Sequence, residues 1–319
     1  MVAQGALGQS NGVPHVPGAL ASAEVQRPYF TITNTGAVSG IIAYDPSGRY
    51  LAVAGDKIVH IYDTSSNNRL TVDLIRTLHS GDAQILGVAF SETNTLVSIS
   101  LDQSVSTWDI QTGKVLHTAK LEFGKQICFA IAPGQSWLAA DTSFGRARLW
   151  NFQSGKLLQS FEPGDSWASA LAFTPDGKSL VIGTEKGVLR VMDVASWTVA
   201  RVIDLDSPIK SLAASAEHIV VGYFDGTVAI LNFGDQTSIP EIKKQSGAIN
   251  ALAFNPKGDR FASASADHSV KVWDAITLKL LCSLEGHGAA ALGVVFSPDG
   301  KKMVSIDAEG VVNFWTVPK

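Results

Sequence analysis

Residues Ile249–Asp274 carry the clearest pattern of apolar segments and turns in the chain. Ile249–Phe254 is apolar and rich in small residues, and the Asn-Pro-Lys-Gly sequence after it has Pro and Gly in an order typical of a tight turn. A second apolar segment, Phe261–Ser265, leads through another turn to Val270–Trp273, where apolar and polar residues alternate. The pattern predicts three short strands. Three strands alone cannot bury their faces, so this segment needs neighbours of the same kind.

The chain provides those neighbours by repeating the segment. A turn rich in Pro, Gly, Ser, Asn and Asp recurs upstream of most copies, and a fourth apolar segment such as Lys114–His117 follows most of them. Four short strands in every repeat of roughly 40 to 45 residues are typical of a β-propeller blade. The dipeptide that ends the third strand recurs at intervals of 39 to 46 residues, as Tyr62-Asp63, Trp108-Asp109, Trp150-Asn151, Met192-Asp193, Leu231-Asn232, Trp273-Asp274 and Trp315-Thr316.

These repeats resemble those of the WD-repeat (WD40) β-propeller family. The resemblance rests on the Ser-Pro-Asp-Gly turn at 297–300, on the Ser-x-Asp-x-x-Val-x-x-Trp-Asp runs at 100–109 and 265–274, and on Gly286-His287, which precedes Trp315 by 28 residues. It covers residues 28–319. It implies an all-β fold, a seven-bladed β-propeller whose blades are four-stranded antiparallel sheets.

The first and last repeats complete each other. Ile32 lies 14 residues before Pro46, as Leu284 lies 14 residues before Pro298, so Tyr29–Thr33 has the spacing of a fourth strand. The last repeat lacks its fourth strand. We therefore expect the N-terminal strand to complete the last blade and close the ring, which removes free sheet edges. The predicted blades span residues 39–79, 84–121, 126–162, 167–205, 209–244, 249–285 and 291–319.

Two regions are predicted from these patterns. Residues 28–319 form a single propeller domain. Residues 1–27 contain several Gly and Pro, show no hydrophobic period and have Glu24 as their first charged side chain, which predicts a flexible N-terminal tail.

Composition and charge narrow the classes of partner. The chain is 45% hydrophobic and 17% charged, which is typical of a folded protein. Its formal net charge is −4 and it has no run of Lys or Arg longer than two, so we expect no nucleic-acid partner. No apolar run reaches about 20 residues, so we expect no membrane insertion. Cys128 and Cys282 fall in distant repeats and are predicted to be buried thiols, which fits a cytoplasmic or nuclear location.

The resemblance also implies structural hydrogen bonds. In the WD-repeat family a turn Asp joins a buried set with a His, a Ser or Thr, and the Trp indole. The matching pairs here are Asp267 with Trp273, where Gln245 stands in place of the His, and Asp102 with Trp108.

The last repeat departs from that family set at one position. His287, Ser305 and Trp315 fit it, but Glu309 stands where the Asp is expected. No repeat therefore has all four members, and apolar packing is expected to carry most of the stability of the blades.

No catalytic or metal-binding motif stands out. The seven histidines share no metal-ligand spacing, and neither a Gly-rich phosphate loop nor a nucleophile elbow occurs. We therefore expect no metal, no cofactor and no enzymatic activity.

One face of the ring is the candidate binding surface. In the family, this face is built from the loops before each first strand and from the turns between second and third strands. On this sequence it would carry an apolar rim with aromatic residues, which favours binding of other proteins. The alternative is that the aromatic residues only fill gaps between loops. The candidate partner-binding residues are Trp167, Phe144, Phe224, Leu101, Lys125, Lys210 and Leu86.

The leading functional hypothesis is a non-catalytic scaffold or adaptor that docks a partner peptide or a subunit of a complex on this face. The alternative is a propeller enzyme or small-ligand binder that uses the central channel, because a fold does not fix a function.

Overall fold

The secondary structure consists of short strands joined by turns. The structure is a computed structural model and describes residues 24–33, 35, 40–65, 71–122, 128–141, 146–161, 166–233, 240–243 and 245–317. In chain order the strands are β1 (Glu24–Gln26), β2 (Phe30–Ile32), β3 (Ile42–Tyr44), β4 (Tyr50–Ala54), β5 (Ile58–Asp63), β6 (Asp73–His79), β7 (Ile85–Glu92), β8 (Thr95–Ser100), β9 (Ser104–Asp109), β10 (Lys114–Lys120), β11 (Phe129–Ile131), β12 (Trp137–Asp141), β13 (Ala147–Asn151), β14 (Lys156–Phe161), β15 (Ala168–Phe173), β16 (Ser179–Thr184), β17 (Val188–Asp193), β18 (Thr198–Asp204), β19 (Ile209–Ala214), β20 (His218–Tyr223), β21 (Thr227–Asn232), β22 (Glu241–Lys243), β23 (Ile249–Phe254), β24 (Arg260–Ser265), β25 (Val270–Asp274), β26 (Leu280–Leu284), β27 (Ala291–Phe296), β28 (Lys302–Asp307) and β29 (Val312–Thr316).

The strands form seven sheets, which are the blades of a propeller. Blades one to six each contain four consecutive antiparallel strands, from β3–β6 for blade one to β23–β26 for blade six, and blade seven contains β27, β28, β29 and β2. The first strands of successive blades contact one another in order, and β27 returns to contact β3. The sequence prediction of a closed, seven-bladed, all-β propeller is confirmed.

Close packing joins the last blade to the first. A Cβ atom at Gly293 in β27 would collide with the carbonyl oxygen of Gly40, which lies just before blade one. Only glycine allows this approach, because any side chain would push the two backbones apart. The contact lies where the ring closes.

Burial follows the layers of each blade. The second strands are almost entirely buried, as in β4 and β28, because the sheets of neighbouring blades cover both of their faces. The fourth strands lie at the circumference and are largely exposed, as in β10. The continuous apolar runs therefore mark the interior strands, and polar residues accumulate at the outer edge.

The N-terminal strand completes blade seven, as its spacing predicted. Phe30 pairs with Phe314 and Ile32 pairs with Val312 in antiparallel register. The Phe30 and Phe314 rings lie 5.6 Å apart in an edge-to-face arrangement. β2 thus covers the outer edge of β29 and removes a free sheet edge.

A second strand precedes β2 within the segment that the sequence predicted as a tail. β1 pairs with β26 in parallel register, with Val25 opposite Ser283, so blade six has a fifth strand. Arg27 follows β1 and forms an exposed ion pair with Glu285 at 3.4 Å. Residues 1–23 lie outside the described part of the chain. The N-terminal segment therefore contacts the outer strands of both blade six and blade seven.

A complete buried hydrogen-bond set holds blade seven. The Trp315 indole donates to the Ser305 hydroxyl at 2.8 Å, and His287 Nε2 lies 2.6 Å from the same hydroxyl. His287 Nδ1 lies 3.0 Å from Oδ2 of Asp307 and donates to it, since a carboxylate only accepts. The acid is Asp307 and not Glu309. The expectation that no blade has all four members is wrong, because the final residue of β28 supplies the carboxylate.

Blade six forms a longer version of the same chain of hydrogen bonds. The Trp273 indole donates to Ser263 at 2.9 Å, and Ser263 donates to the Gln245 carbonyl at 2.5 Å. The Gln245 amide donates to the Ser269 hydroxyl at 2.9 Å, which in turn donates to Asp267 at 2.6 Å. Gln245 therefore occupies the position of the histidine, and Ser269 links it to the turn acid.

Blade two separates the two residues that the family pattern pairs. The Trp108 indole donates to Ser98 at 2.8 Å. Asp102 accepts instead from Ser104 at 2.6 Å and from Lys120 at 2.6 Å, near the surface. The hydrogen bond from Lys120 is the main reason that the pKa of Asp102 is lowered to about 2.

Candidate functional site

In blades two and four, the turn between the second and third strands lies beside the entry to the first strand. Leu101, in the turn after β8, donates its backbone N–H to the carbonyl of Gln84, which precedes β7, at 2.8 Å. Glu185, after β16, makes the same bond to Trp167, before β15, at 3.2 Å. In an antiparallel meander, the turn between the second and third strands lies at the same edge as the start of the first strand. We call the surface formed by these edges the loop face.

Three candidate residues converge on one cavity of the loop face. Trp167, Lys210 and Phe224 belong to blades four and five and line a cavity of about 320 Å³. Trp167 is 48% exposed and Phe224 is 57% exposed, so both rings present apolar surface to solvent. Lys210 is exposed, and its Nζ lies 5.2 Å from the centroid of the Phe224 ring, within the range of a cation–π interaction.

Acidic groups line the same cavity. Asp141, the last residue of β12, is 2% exposed, whereas Glu185 is exposed at the surface. Cys128 also lines it and donates to the carbonyl of Ala168 at 3.3 Å. Burial is the main reason that the pKa of Cys128 is raised to about 12, so this thiol is protonated at neutral pH. The cavity therefore combines aromatic walls, a buried carboxylate, an exposed carboxylate and one ammonium group.

The remaining candidates divide into two groups. Leu101, 44% exposed, and Leu86, half-buried, lie in blade two, and neither lines this cavity. Phe144 and Lys125 lie outside the described residues. Sequence reasoning thus identified three side chains of the cavity and missed both of its acids, Glu185 and Asp141. For Asp141, the available indication was an acid at the end of the apolar strand sequence Trp-Leu-Ala-Ala-Asp.

The central channel opens beside this cavity. The first strands of the blades line it, and it encloses about 410 Å³. Lys210 lines both the channel and the loop-face cavity, and among the described residues of the channel wall it is the one charged side chain. Most of the other channel residues are small or apolar, as in Gly40 and Leu292.

The described residues contain no helix long and apolar enough to cross a membrane. They also contain no group of three or more His, Cys, Asp or Glu side chains that could hold a metal ion.

Comparisons with known proteins agree with the repeat pattern. The family profile described as "WD domain, G-beta repeat" matches residues 26–63, 237–274 and 278–316. The guanine nucleotide-binding protein subunit beta of Saccharomyces cerevisiae is 24% identical over 281 residues, which cover 86% of this chain and 66% of the yeast protein. Apoptotic protease-activating factor 1 of Rattus norvegicus is 20% identical, over 88% of this chain and 22% of the rat protein.

The similarity is confined to part of these relatives. Periodic tryptophan protein 2 of Arabidopsis thaliana is 24% identical over 65% of this chain, but the match covers only 24% of the plant protein. A chain in the crystal structure of the mitotic checkpoint complex superposes with a TM-score of 0.79 over 99% of both chains, at 16% identity. This last similarity shows the fold.

Proposed function

Because the chain is a seven-bladed β-propeller with WD40 repeats, we propose that it is a non-catalytic scaffold that docks a peptide segment or subunit of another protein on its loop face. The observation that carries the proposal is the convergence of Trp167, Lys210 and Phe224 on one cavity. Exposed aromatic residues around a concave site are typical of the anchors that dominate protein interfaces.

The name of one relative supports a role in assemblies. The yeast relative is named as a subunit. A propeller suits this role because its rigid blades present loops from several repeats to one partner without changing shape. The binding surface would therefore be largely formed before the partner arrives, which limits the entropy lost on association.

The test is a pair of double variants that remove similar exposed apolar surface. Trp167→Ala with Phe224→Ala removes the two aromatic walls of the cavity. Leu116→Ala with Ile276→Ala removes exposed side chains from the outer edge of blade two and from the connection after β25, at the opposite edge of blade six. Both double variants should fold, because all four side chains are largely exposed.

Affinity capture from the native source, followed by quantification of each bound protein, measures the result. We expect at least one protein to be retained by the wild type and by the Leu116/Ile276 variant but lost from the Trp167/Phe224 variant. If every retained protein binds all three forms equally, the loop-face cavity is not the docking site.

A further inference from the structure

The buried acid of the loop-face cavity occupies an unusual position in the propeller. Counted by strand pairing, Asp141 lies three residues after Leu138, which is opposite Trp150. In each other blade the same position is the third residue after the one that pairs with the residue in the place of Trp150. Those residues are Tyr62, Trp108, Met192, Leu231, Trp273 and Trp315. The six equivalents are apolar or glycine: Ala54, Ile99, Gly183, Gly222, Ala264 and Ile306.

The neighbouring blade explains that preference. A Cβ atom at Gly183 would stand 2.8 Å from the Ile209 side chain of the next blade, so this position faces the first strand of its neighbour. In blade three this position is Asp141, which lines the cavity together with Ala168 of the first strand of the next blade. A buried carboxylate needs polar partners that the apolar residues and glycines of the other blades do not need. A side chain that departs from the repeat in this way marks a place where function competes with packing.

The charge of the cavity favours a cation. Among its described lining residues the ionisable acids are Asp141 and Glu185, and the single base is Lys210. A concave site with low-dielectric walls concentrates the field of such carboxylates, so a positive group entering it is stabilised more than on an open surface.

The aromatic walls favour the same kind of group. The ammonium of Lys210 already lies over the Phe224 ring, so one aromatic face of this cavity is in contact with a cation. The Trp167 indole offers a second and larger face, and Trp is the strongest cation–π partner. A planar guanidinium can stack on an indole while its edge donates two hydrogen bonds to a carboxylate, whereas an ammonium has no such plane.

We propose that the loop-face cavity binds the guanidinium of an arginine side chain in a partner peptide, with Trp167 stacking on its plane and Asp141 and Glu185 accepting its hydrogen bonds. This inference rests on the proposed function, because it assigns the chemistry of the segment that the loop face docks. Lys210 would then interact with the peptide's own carboxylates or carbonyls at the rim beside the channel.

The test uses pools of short random peptides, each with one fixed central residue and immobilised at equal density. The four fixed residues are arginine, its uncharged isostere citrulline, lysine and glutamate. We expect the wild type to be retained about tenfold more on the arginine pool than on the citrulline pool, and this ratio corresponds to about 1.4 kcal/mol. Retention on the lysine pool should be intermediate, and the glutamate pool should retain least.

Variants identify the groups responsible. Asp141→Asn should bring the arginine-to-citrulline ratio close to one, and Asp141→Ala, which places the residue of blades one and six there, should do the same. Glu217→Gln is the matched control, because Glu217 is an exposed acid in the turn before β20, at the opposite edge of blade five. It should leave the ratio unchanged.

The outcomes separate this inference from the proposed function. Equal retention on the arginine and citrulline pools, or retention on lysine that equals arginine, overturns the guanidinium assignment. If protein capture still depends on Trp167 and Phe224 in that case, the scaffold proposal stands alone. If neither peptides nor proteins depend on these residues, both proposals are wrong.

Discussion

The buried set of blade seven leads to a quantitative prediction about stability. The His287 side chain is fully buried between the Ser305 hydroxyl, 2.6 Å from Nε2, and the Asp307 carboxylate, 3.0 Å from Nδ1. The second oxygen of Asp307 accepts from the backbone N–H groups of Glu309 and Val311. His287 is therefore the group that satisfies Oδ2 of a carboxylate with no exposure to solvent. We expect His287→Ala and His287→Gln to differ strongly in their effects.

The magnitude follows from the bonds removed. His287→Ala removes one neutral hydrogen bond of about 1 kcal/mol and one to a charged group of about 1.5 to 3 kcal/mol, and the buried carboxylate then lacks a partner. With the cavity left by the ring, we expect a loss of about 4 kcal/mol in the free energy of unfolding. Glutamine can accept from Ser305 and donate to Asp307, as Gln245 accepts from Ser263 and donates to Ser269 in blade six. The expected loss for His287→Gln is about 1 kcal/mol.

Urea titrations at neutral pH, monitored by far-ultraviolet circular dichroism, measure the two free energies of unfolding. His117→Ala is the control, because His117 is exposed on β10 and its loss should change stability by less than about 0.5 kcal/mol. Equal losses for the alanine and glutamine variants of His287 would show that the ring contributes by packing and not by hydrogen bonding. A loss below about 1 kcal/mol for His287→Ala would refute the whole argument.

Two further predictions concern acid and the N-terminal strands. Burial lowers the pKa of His287 in the folded protein, whereas the unfolded chain takes up the proton near pH 6.5 or so, so the wild type should lose stability as the pH falls below about 6.5. The His287→Gln variant should lose less stability over that pH range in the same urea titrations. Identical slopes of the unfolding free energy against pH for the two proteins would contradict the assignment of this loss to His287. Deleting residues 1–33 removes β1 and β2 and should lower the thermal midpoint by at least about 5 °C relative to deletion of residues 1–23, which keeps both strands. Equal midpoints for the two truncated proteins would argue against closure by β2.

The closure of the ring was predictable because it depends on register. The repeat fixes how far a fourth strand lies from the next Pro turn, and Ile32 has that spacing, so the sequence alone placed Phe30–Ile32 against the last blade. β1 was not predictable in the same way. It is three residues long, largely exposed and parallel to its neighbour, so backbone hydrogen bonds define it and no side-chain pattern marks it.

The acid of blade seven shows the limit of counting along a repeat. The family spacing leads to Glu309, in the turn six residues before Trp315, and passes over Asp307. The structure shows that the carboxylate comes from the last residue of β28, where it faces His287. The turns of blades six and seven have equivalent backbone hydrogen bonds, from His268 to Ser265 and from Gly310 to Asp307. What differs is the last residue of the second strand, which is Ser265 in blade six and Asp307 in blade seven, so a carboxylate at the strand end takes the role of the turn acid.

Three residues of the loop-face cavity were predictable one by one, but their convergence on a single cavity was not. Trp167, Lys210 and Phe224 each stood out in the sequence, but Trp167 belongs to the fourth repeat and the other two to the fifth, and only the packing of blade four against blade five brings them together. Asp141 is recognisable as an exception only when all seven blades are compared at the same paired position, which requires the strand register.

The cavity lies in a part of the ring that the family profile does not match. The family profile matches the chain around blades one, six and seven. Blades six and seven pair with the N-terminal strands and contain the two linked hydrogen-bond sets described above. The cavity lies among blades three, four and five, where the profile finds no repeat over residues 64–236. Regular blades are specified by packing, because each must fit two neighbours. Asp141 departs from that pattern beside two exposed aromatic rings, at a position where the other blades have apolar residues or glycine. The guanidinium proposal accounts for this departure by a ligand that needs the charge, and the arginine and citrulline pools test that proposal.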